Sequence, residues 1–117
     1  RFERVEFGFN NSAEPGNIRN KPETGGGGLR DIGVYTFGST RFVTGQEPDD
    51  LRAKIDWDNG IDATALVQAD FDGFTLSSMT SMRIQLHQEA CYIGDKGIMR
   101  LSCPYNPFSF PAIPEVR

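Results

Sequence analysis

From Val5 the chain alternates, with Val5, Phe7 and Phe9 set against Glu6, Gly8 and Asn10. A period of two marks a half-buried strand, because successive side chains point to opposite faces. The stretch from Asn11 to Thr24 breaks the alternation and is rich in Asn, Pro and Glu, which predicts a loop. Loops of this length in compact domains often carry function. Gly25 to Gly28 then precede a segment, Leu29 to Thr44, that fits a helix stopped by Gly45 and Pro48. Its apolar residues, Leu29, Ile32, Val34, Phe37, Phe42 and Val43, spread around much of the circumference and predict a well-buried helix. Gly33 and Gly38 lie inside it, each costing about 1 kcal/mol relative to alanine. Close packing or ligand approach would offset that cost.

The remainder reads as sheet. Leu51, Ala53, Ile55 and Trp57 alternate with Arg52, Lys54, Asp56 and Asp58, and Asn59-Gly60 is a strong turn signal. Ala63, Ala65, Val67, Ala69 and Phe71 form the next apolar phase, followed by a turn at Asp72-Gly73. A long strand from Phe74 to about Arg83, another from His87 to Ile93, a turn at Asp95-Lys96-Gly97 and a return from Ile98 to Ser102 complete the run. Strands joined by tight turns pair antiparallel. The expected fold class is therefore α+β: an open, mostly antiparallel sheet with a helix on one face. Leu76, Met79, Met82, Ile84 and Leu86 exceed what one helix covers, which suggests a second apolar face and a partner chain or domain to cover it. Residues 1–106 are expected to form the domain. The proline-rich tail, 107–117, is expected to be an extended arm rather than regular structure.

Composition narrows the function classes. The chain has 117 residues, 38% hydrophobic and 24% charged, the profile of one ordinary globular domain. Its formal charge of −4 offers no basic stripe for nucleic acid. No apolar run approaches the ~20 residues of a membrane helix, and the default expectation is a cytoplasmic protein, or a periplasmic one if a leader is missing. Cys91 and Cys103 lack CxxC spacing and share the chain with a single histidine, His87, so a metal site is not expected. The two cysteines read as ordinary thiols, with a bridge between them left open. The chain opens mid-strand without an initiator methionine, which is read as a missing upstream part.

The chemically informative stretch is Gly25-Gly26-Gly27-Gly28-Leu29-Arg30-Asp31-Ile32-Gly33-Val34-Tyr35. Glycines before a helix let the backbone approach a bound group, and a helix N-terminus favours anions or polar oxygens. Asp31 and Tyr35, four apart, share one helical face. A carboxylate and a phenol beside a glycine loop would make one polar wall of a pocket. Equally, the glycines could be a linker, Asp31 could complement the helix dipole, and Tyr35 could be a core residue. The run is not a dinucleotide fingerprint: it lacks GxGxxG spacing and follows a loop rather than a strand.

This stretch resembles the GGGxLxDxGxY signature of the carboxy-terminal domain of the Gfo/Idh/MocA oxidoreductases. Arg41 and Gly45-Gln46-Glu47-Pro48 are similar to the family's helix end, Gly94-Asp95-Lys96-Gly97-Ile98 to its hairpin, and Pro104-Tyr105-Asn106 to its closing segment. The resemblance runs from about Gly25 to Asn106. It implies a carboxy-terminal domain of the kind found in glyceraldehyde-3-phosphate dehydrogenase, which supplies substrate contacts and, through the sheet face, the interface of a homo-oligomer, dimer or tetramer. A separate Rossmann domain, absent from this sequence, would bind NAD or NADP. Many members have histidine where Tyr35 stands. Tyrosine there resembles the glucose-fructose oxidoreductase and dihydrodiol dehydrogenase branch, in which it exchanges the substrate proton.

The chemistry implied is hydride transfer between a nicotinamide and a carbinol carbon, which needs a proton acceptor or donor at the oxygen. A phenol with an ordinary pKa near ~10 needs a nearby cation to act close to neutrality. In the family that cation comes from a Glu-Lys-Pro motif, which this chain lacks; Lys21-Pro22 follows Asn20 in the loop. The expected site is thus Tyr35 as the catalytic group, with Asp31, Arg19, Gly27 and Gly28 binding substrate. Arg41 is expected to be structural and His87 to be solvated or at an edge. The expected substrate is a sugar, polyol or cyclic alcohol. The rival expectation is a non-catalytic assembly or ligand-binding module on the same fold.

Overall fold

The computed structural model describes residues 1–106 and 114–117. Their strands form one sheet in the order β2-β3-β4-β1-β5-β6-β7. Here β1 is Phe2–Asn10, β2 Asp50–Asp58, β3 Ile61–Phe71, β4 Phe74–Ser81, β5 Arg83–Ile93, β6 Ile98–Ser102 and β7 Pro114–Val116. Every neighbouring pair is antiparallel except β1 with β4. The α+β class and the mostly antiparallel open sheet expected from the alternation are therefore present.

Pairing of consecutive strands fails at one place. β4 and β5 do not pair, because β1 lies between them, with Val5 opposite Ser78 on one side and Ala90 on the other. The chain passes from β4 to β5 through Met82 alone. Its backbone N–H donates to Ala63 and its carbonyl accepts from Asn11, at 2.8 and 3.2 Å. Met82 is fully buried. The strand boundary therefore falls at Met82, several residues before the break expected from the pattern.

The core lies on the helical face of the sheet. Val5, Ala69, Leu76 and Ala90 form its centre, with Phe37, Phe71, Tyr92 and Leu101 packed against it. The expected single helix is two: α1, Gly28–Asp31, and α2, Gly33–Thr44, separated at Ile32 with φ −121° and ψ −13°. Nor is it well buried. The inward stripe of α2 is Gly33, Thr36 and Thr40, while Phe42 is 90% exposed and Val34 and Val43 also face out. Small side chains at this spacing let the helix backbone settle on the sheet, so its large apolar groups are carried outward and to the flank.

The five residues expected on a second apolar face divide. By register, Leu76 and Leu86 lie on the helical face, and Met82 sits in the crossover. Met79 and Ile84 remain on the bare face, where Ile84 covers Gly8 so closely that a Cβ there would overlap it. The same face carries Arg4, Glu6, His87, Glu89 and Arg100. In the tail, Pro107 and Pro111 lie outside the described residues, but Pro114–Val116 is a strand paired to β6. Proline is tolerated as the first residue of an edge strand, where its missing N–H is not needed. This corrects the expectation that no part of the tail is a regular strand. Among the described residues no helix is long and apolar enough to cross a membrane.

Candidate active site

The glycine run is shaped by a residue far along the chain. Asp62, at the start of β3 and 8% exposed, accepts the Leu29 backbone N–H at 2.6 Å. Gly27 takes φ +122°, and a Cβ on it would overlap Asp62 Oδ1. Gly28 also packs on Asp62. The glycines thus admit a buried carboxylate of the protein itself. Gly27 and Gly28, expected to bind substrate, are turned toward Asp62 and do not line the cavity described next. A carboxylate in this position also makes the helix start a poor cradle for a pyrophosphate.

The cavity, of about 440 Å³, opens where α1, α2, β1, β5 and the segment after β6 meet. Three of the expected residues come together there: Arg19, Asp31 and Tyr35. Arg19 reaches in from the loop because that loop is fastened. Asn20 Nδ2 donates to the carbonyls of Asn11 and Glu14, and Arg83 donates to Asn11 Oδ1, Asn20 Oδ1 and Asp58 Oδ2 at 2.7 to 3.0 Å. Gly27 N–H donates to the Arg19 carbonyl at 2.9 Å. So placed, Arg19 Nε donates to Asp31 Oδ2 at 2.8 Å. The two opposite charges compensate each other within the cavity wall.

The floor is aromatic. Phe7 stacks on Tyr35 and on Tyr105, with ring centroids 5.8 and 5.3 Å apart, and Tyr35 lies tilted to Tyr105 at 5.9 Å. Phe9 and Leu86 extend the apolar surface. The two phenols differ in their surroundings. The Tyr105 hydroxyl pairs with Ser39 Oγ at 3.0 Å. Burial pushes its pKa up to about 12, which the Ser39 bond eases only in part. The Tyr35 side chain is half-exposed to the cavity, and its hydroxyl has no hydrogen-bond partner among the described residues.

Gln88 holds the closing segment in place. Its Oε1 accepts from the backbone N–H groups of Tyr105 and Asn106, both at 3.0 Å, and its Nε2 donates to Asn106 Oδ1 at 2.7 Å. Gln88 is 8% exposed, so this is a buried amide that serves positioning. Its signal in the sequence was a polar residue in the inward phase of Leu86-Gln88-Ala90. Asp62 and Arg83 gave no local signal, since each acts on a segment more than 30 residues away.

Outside the cavity, Glu6, His87 and Glu89 bring ligand-type atoms within 4.8 Å of one another. Arg4 and Arg100 already donate to the two Glu89 oxygens at 2.6 and 2.8 Å, and His87 Nε2 lies 3.0 Å from Glu6 Oε1. Burial would raise the Glu89 pKa, but the two guanidinium bonds outweigh it and hold the group below the ordinary carboxylate range. The grouping is an ion-pair network across β1, β5 and β6, with His87 at its solvated end. Cys91 and Cys103 are both free and buried, so no bridge joins them. Arg41, in the last turn of α2, pairs with Glu47 at 2.6 Å on the exposed surface.

Comparison with known proteins identifies the class to which this fold belongs. The fold superposes on aldose-aldose oxidoreductase from Caulobacter crescentus with a TM-score of 0.88 at 22% identity, covering 100% of this chain and 36% of that one. It also superposes on UDP-N-acetylglucosamine 3-dehydrogenase from Acidithiobacillus ferrooxidans with a TM-score of 0.73 at 13% identity, covering 100% and 40%. In sequence, it is 31% identical over 97 residues to an uncharacterized oxidoreductase, ORF334, of Rhizobium meliloti, spanning 80% of this chain and 29% of that protein. It is likewise 31% identical over 80 residues to trans-1,2-dihydrobenzene-1,2-diol dehydrogenase of Danio rerio, spanning 66% and 24%. Residues 1–100 match the GFO/IDH/MocA C-terminal domain. The chain belongs to the GFO/IDH/MocA family of oxidoreductases, as a carboxy-terminal domain, and spans between 24% and 40% of the length of these relatives.

Proposed function

We propose that this domain forms the substrate wall of an NAD(P)-dependent oxidoreductase acting on a sugar, polyol or cyclic alcohol. The observation that carries the reading is Tyr35, a phenol open to a cavity whose floor is aromatic and whose rim holds the Arg19–Asp31 pair. Aromatic faces receive the C–H faces of a ring, while carboxylate, guanidinium and amide groups exchange hydrogen bonds with its hydroxyls. Asp31 and Arg19 would hold neighbouring hydroxyls, and Asn106 would contact the far side of the ring. Tyr35 would take the proton from, or return it to, the carbinol oxygen. Tyr105 is the poorer candidate for that step, because its hydroxyl is engaged by Ser39 and its raised pKa disfavours ionisation.

A nicotinamide cofactor would supply the hydride exchange. Among the described residues the glycine turn does not build a phosphate cradle for it, since the Asp62 carboxylate fills that turn. The dinucleotide would therefore be held by residues other than these.

The test is nicotinamide reduction by the intact gene product against a panel of sugars, polyols and cyclic diols. Turnover is expected with a neutral polyhydroxy substrate, and Asp31→Asn is expected to raise KM more than it lowers kcat. A folded protein that turns over none of the panel with either cofactor would overturn the reading in favour of a non-catalytic binding or assembly module.

A further inference from the structure

The two edges of the sheet differ sharply. One edge, β7, has three residues and opens with a proline, which blunts further pairing. The other, β2, has nine residues without proline or glycine, and every one of them except Ile55 is exposed. The register shift beside Asp56 and Trp57 leaves its extra residue, Ala63, on β3. The free side of β2 is therefore a regular ladder of backbone donors and acceptors, and edges of this kind are normally short, bulged or covered. Trp57, 66% exposed, and Leu51 add apolar surface on the helical side of this edge.

Charge along β2 is ordered rather than mixed. On the bare side of the sheet it runs Asp50, Arg52, Lys54, Asp56, Asp58, so that positive charge at 52 and 54 is followed by negative charge at 56 and 58, with Asp50 outside them. Lys54 and Asp56 make no ion pair with any described residue, although both sit among charged neighbours. We infer that β2 pairs antiparallel with β2 of a second copy of this chain, on a two-fold axis at Ile55, extending the sheet across both molecules.

That register sets Lys54 against Asp56 and Arg52 against Asp58, each twice, and it lays Trp57 on Ala53 of the other copy. Neighbouring registers do not work as well. An axis at Lys54 gains two Arg52–Asp56 pairs but opposes Lys54 to itself and Asp50 to Asp58 twice, and an axis at Asp56 opposes Asp56 to itself and leaves Arg52 without a charged partner. An axis at Ala53 opposes Arg52 to Lys54. Opposite charges directly across a ladder stabilise it and like charges destabilise it, so the pattern selects one self-complementary register. A two-fold contact of this kind uses the same surface on both partners and closes at two copies. It is edge to edge, unlike the face-to-face assembly the sequence suggested. It is independent of the catalytic reading, because no cavity residue takes part.

Sedimentation equilibrium on the 117-residue chain and its charge variants is the test. Wild type is expected to be dimeric, with a dissociation constant that rises with salt. Lys54→Asp alone sets a new carboxylate against Asp56 of the other copy. Asp56→Lys alone sets a new ammonium group against Lys54 of the other copy. Each is expected to weaken the dimer at least tenfold without changing the melting temperature of the monomer. Mixing the two variants is expected to restore a one-to-one heterodimer. A wild-type chain that stays monomeric, a dimer indifferent to either reversal, or a mixture that fails to pair would each overturn the inference.

Discussion

The carboxylate of Asp62 sits 2.6 Å from the Leu29 backbone nitrogen, in a pocket that only a glycine at position 27 leaves open. This places the start of α1, and with it Asp31, relative to β3. The exchange is reciprocal: the glycine makes room for the carboxylate, and the carboxylate satisfies an N–H that the helix itself leaves unpaired. Gly27→Ala is predicted to destabilise the domain by about 2–3 kcal/mol, from positive φ and overlap together. In an Asp62→Ala background the same change should cost less, because the overlap is gone while the φ strain stays. Denaturant melts of the four proteins in that cycle check the coupling.

Gln88 ties the closing segment to β5 through one oxygen and two backbone N–H groups. Gln88→Leu keeps the volume but leaves those donors unsatisfied, at a cost of roughly 2–3 kcal/mol. Because Tyr105 would lose its anchor, the near-ultraviolet circular dichroism of the Phe7–Tyr35–Tyr105 stack should weaken in the same variant. Loss of stability with an unchanged aromatic signal would disconnect Gln88 from the cavity floor.

Arg83 fastens the loop that carries Arg19. Arg83→Met is predicted to lower the melting temperature by several degrees, a loss on the order of 1–2 kcal/mol. Faster hydrogen exchange is expected at the Gly26 and Gly27 amides, which donate to carbonyls of that loop. Exchange confined to the end of β5 would show that the loop is held by other means.

Glu3 lies beneath α2 at 6% exposure, with Oε2 unpartnered. Burial raises its pKa, and a hydrogen bond with Thr40 eases that rise only in part. The folded state therefore holds the proton more tightly than the unfolded one, and stability falls as pH rises from the ordinary glutamate range through the raised folded value. Glu3→Gln has no such proton to lose. Its stability relative to wild type should increase with pH across that window and level off above it. Thermal melts of both proteins from about pH 4 to pH 8 check the sign; a constant difference would contradict it.

Much of the fold was legible from local pattern. The alternation in β1, β2 and β3 and the turns at Asn59-Gly60 and Asp72-Gly73 point to strands, hairpins and class, because period and turn chemistry are local. The placing of β1 between β4 and β5 was not legible, since it depends on a pairing across some 70 residues with no turn to announce it. The helix misleads for a related reason. Its large apolar residues read as a buried side, whereas Gly33, Thr36 and Thr40 meet the sheet. At the cavity, Asp31 and Tyr35 come from the signature and Arg19 from the loop before it, and the three line one cavity. Gly27 and Gly28 read as substrate ligands because Asp62, their actual neighbour, lies 35 and 34 positions further along the chain.

The most direct measurement compares Tyr35→Phe with Tyr105→Phe in nicotinamide-linked turnover by the intact gene product. Both remove one hydroxyl from the same aromatic stack, so packing changes little in either. The account predicts that Tyr35→Phe lowers kcat by a factor on the order of 10² or more, while Tyr105→Phe keeps most of its kcat. Equal turnover in wild type and Tyr35→Phe, or a collapse confined to Tyr105→Phe, would contradict the assignment of the proton to Tyr35.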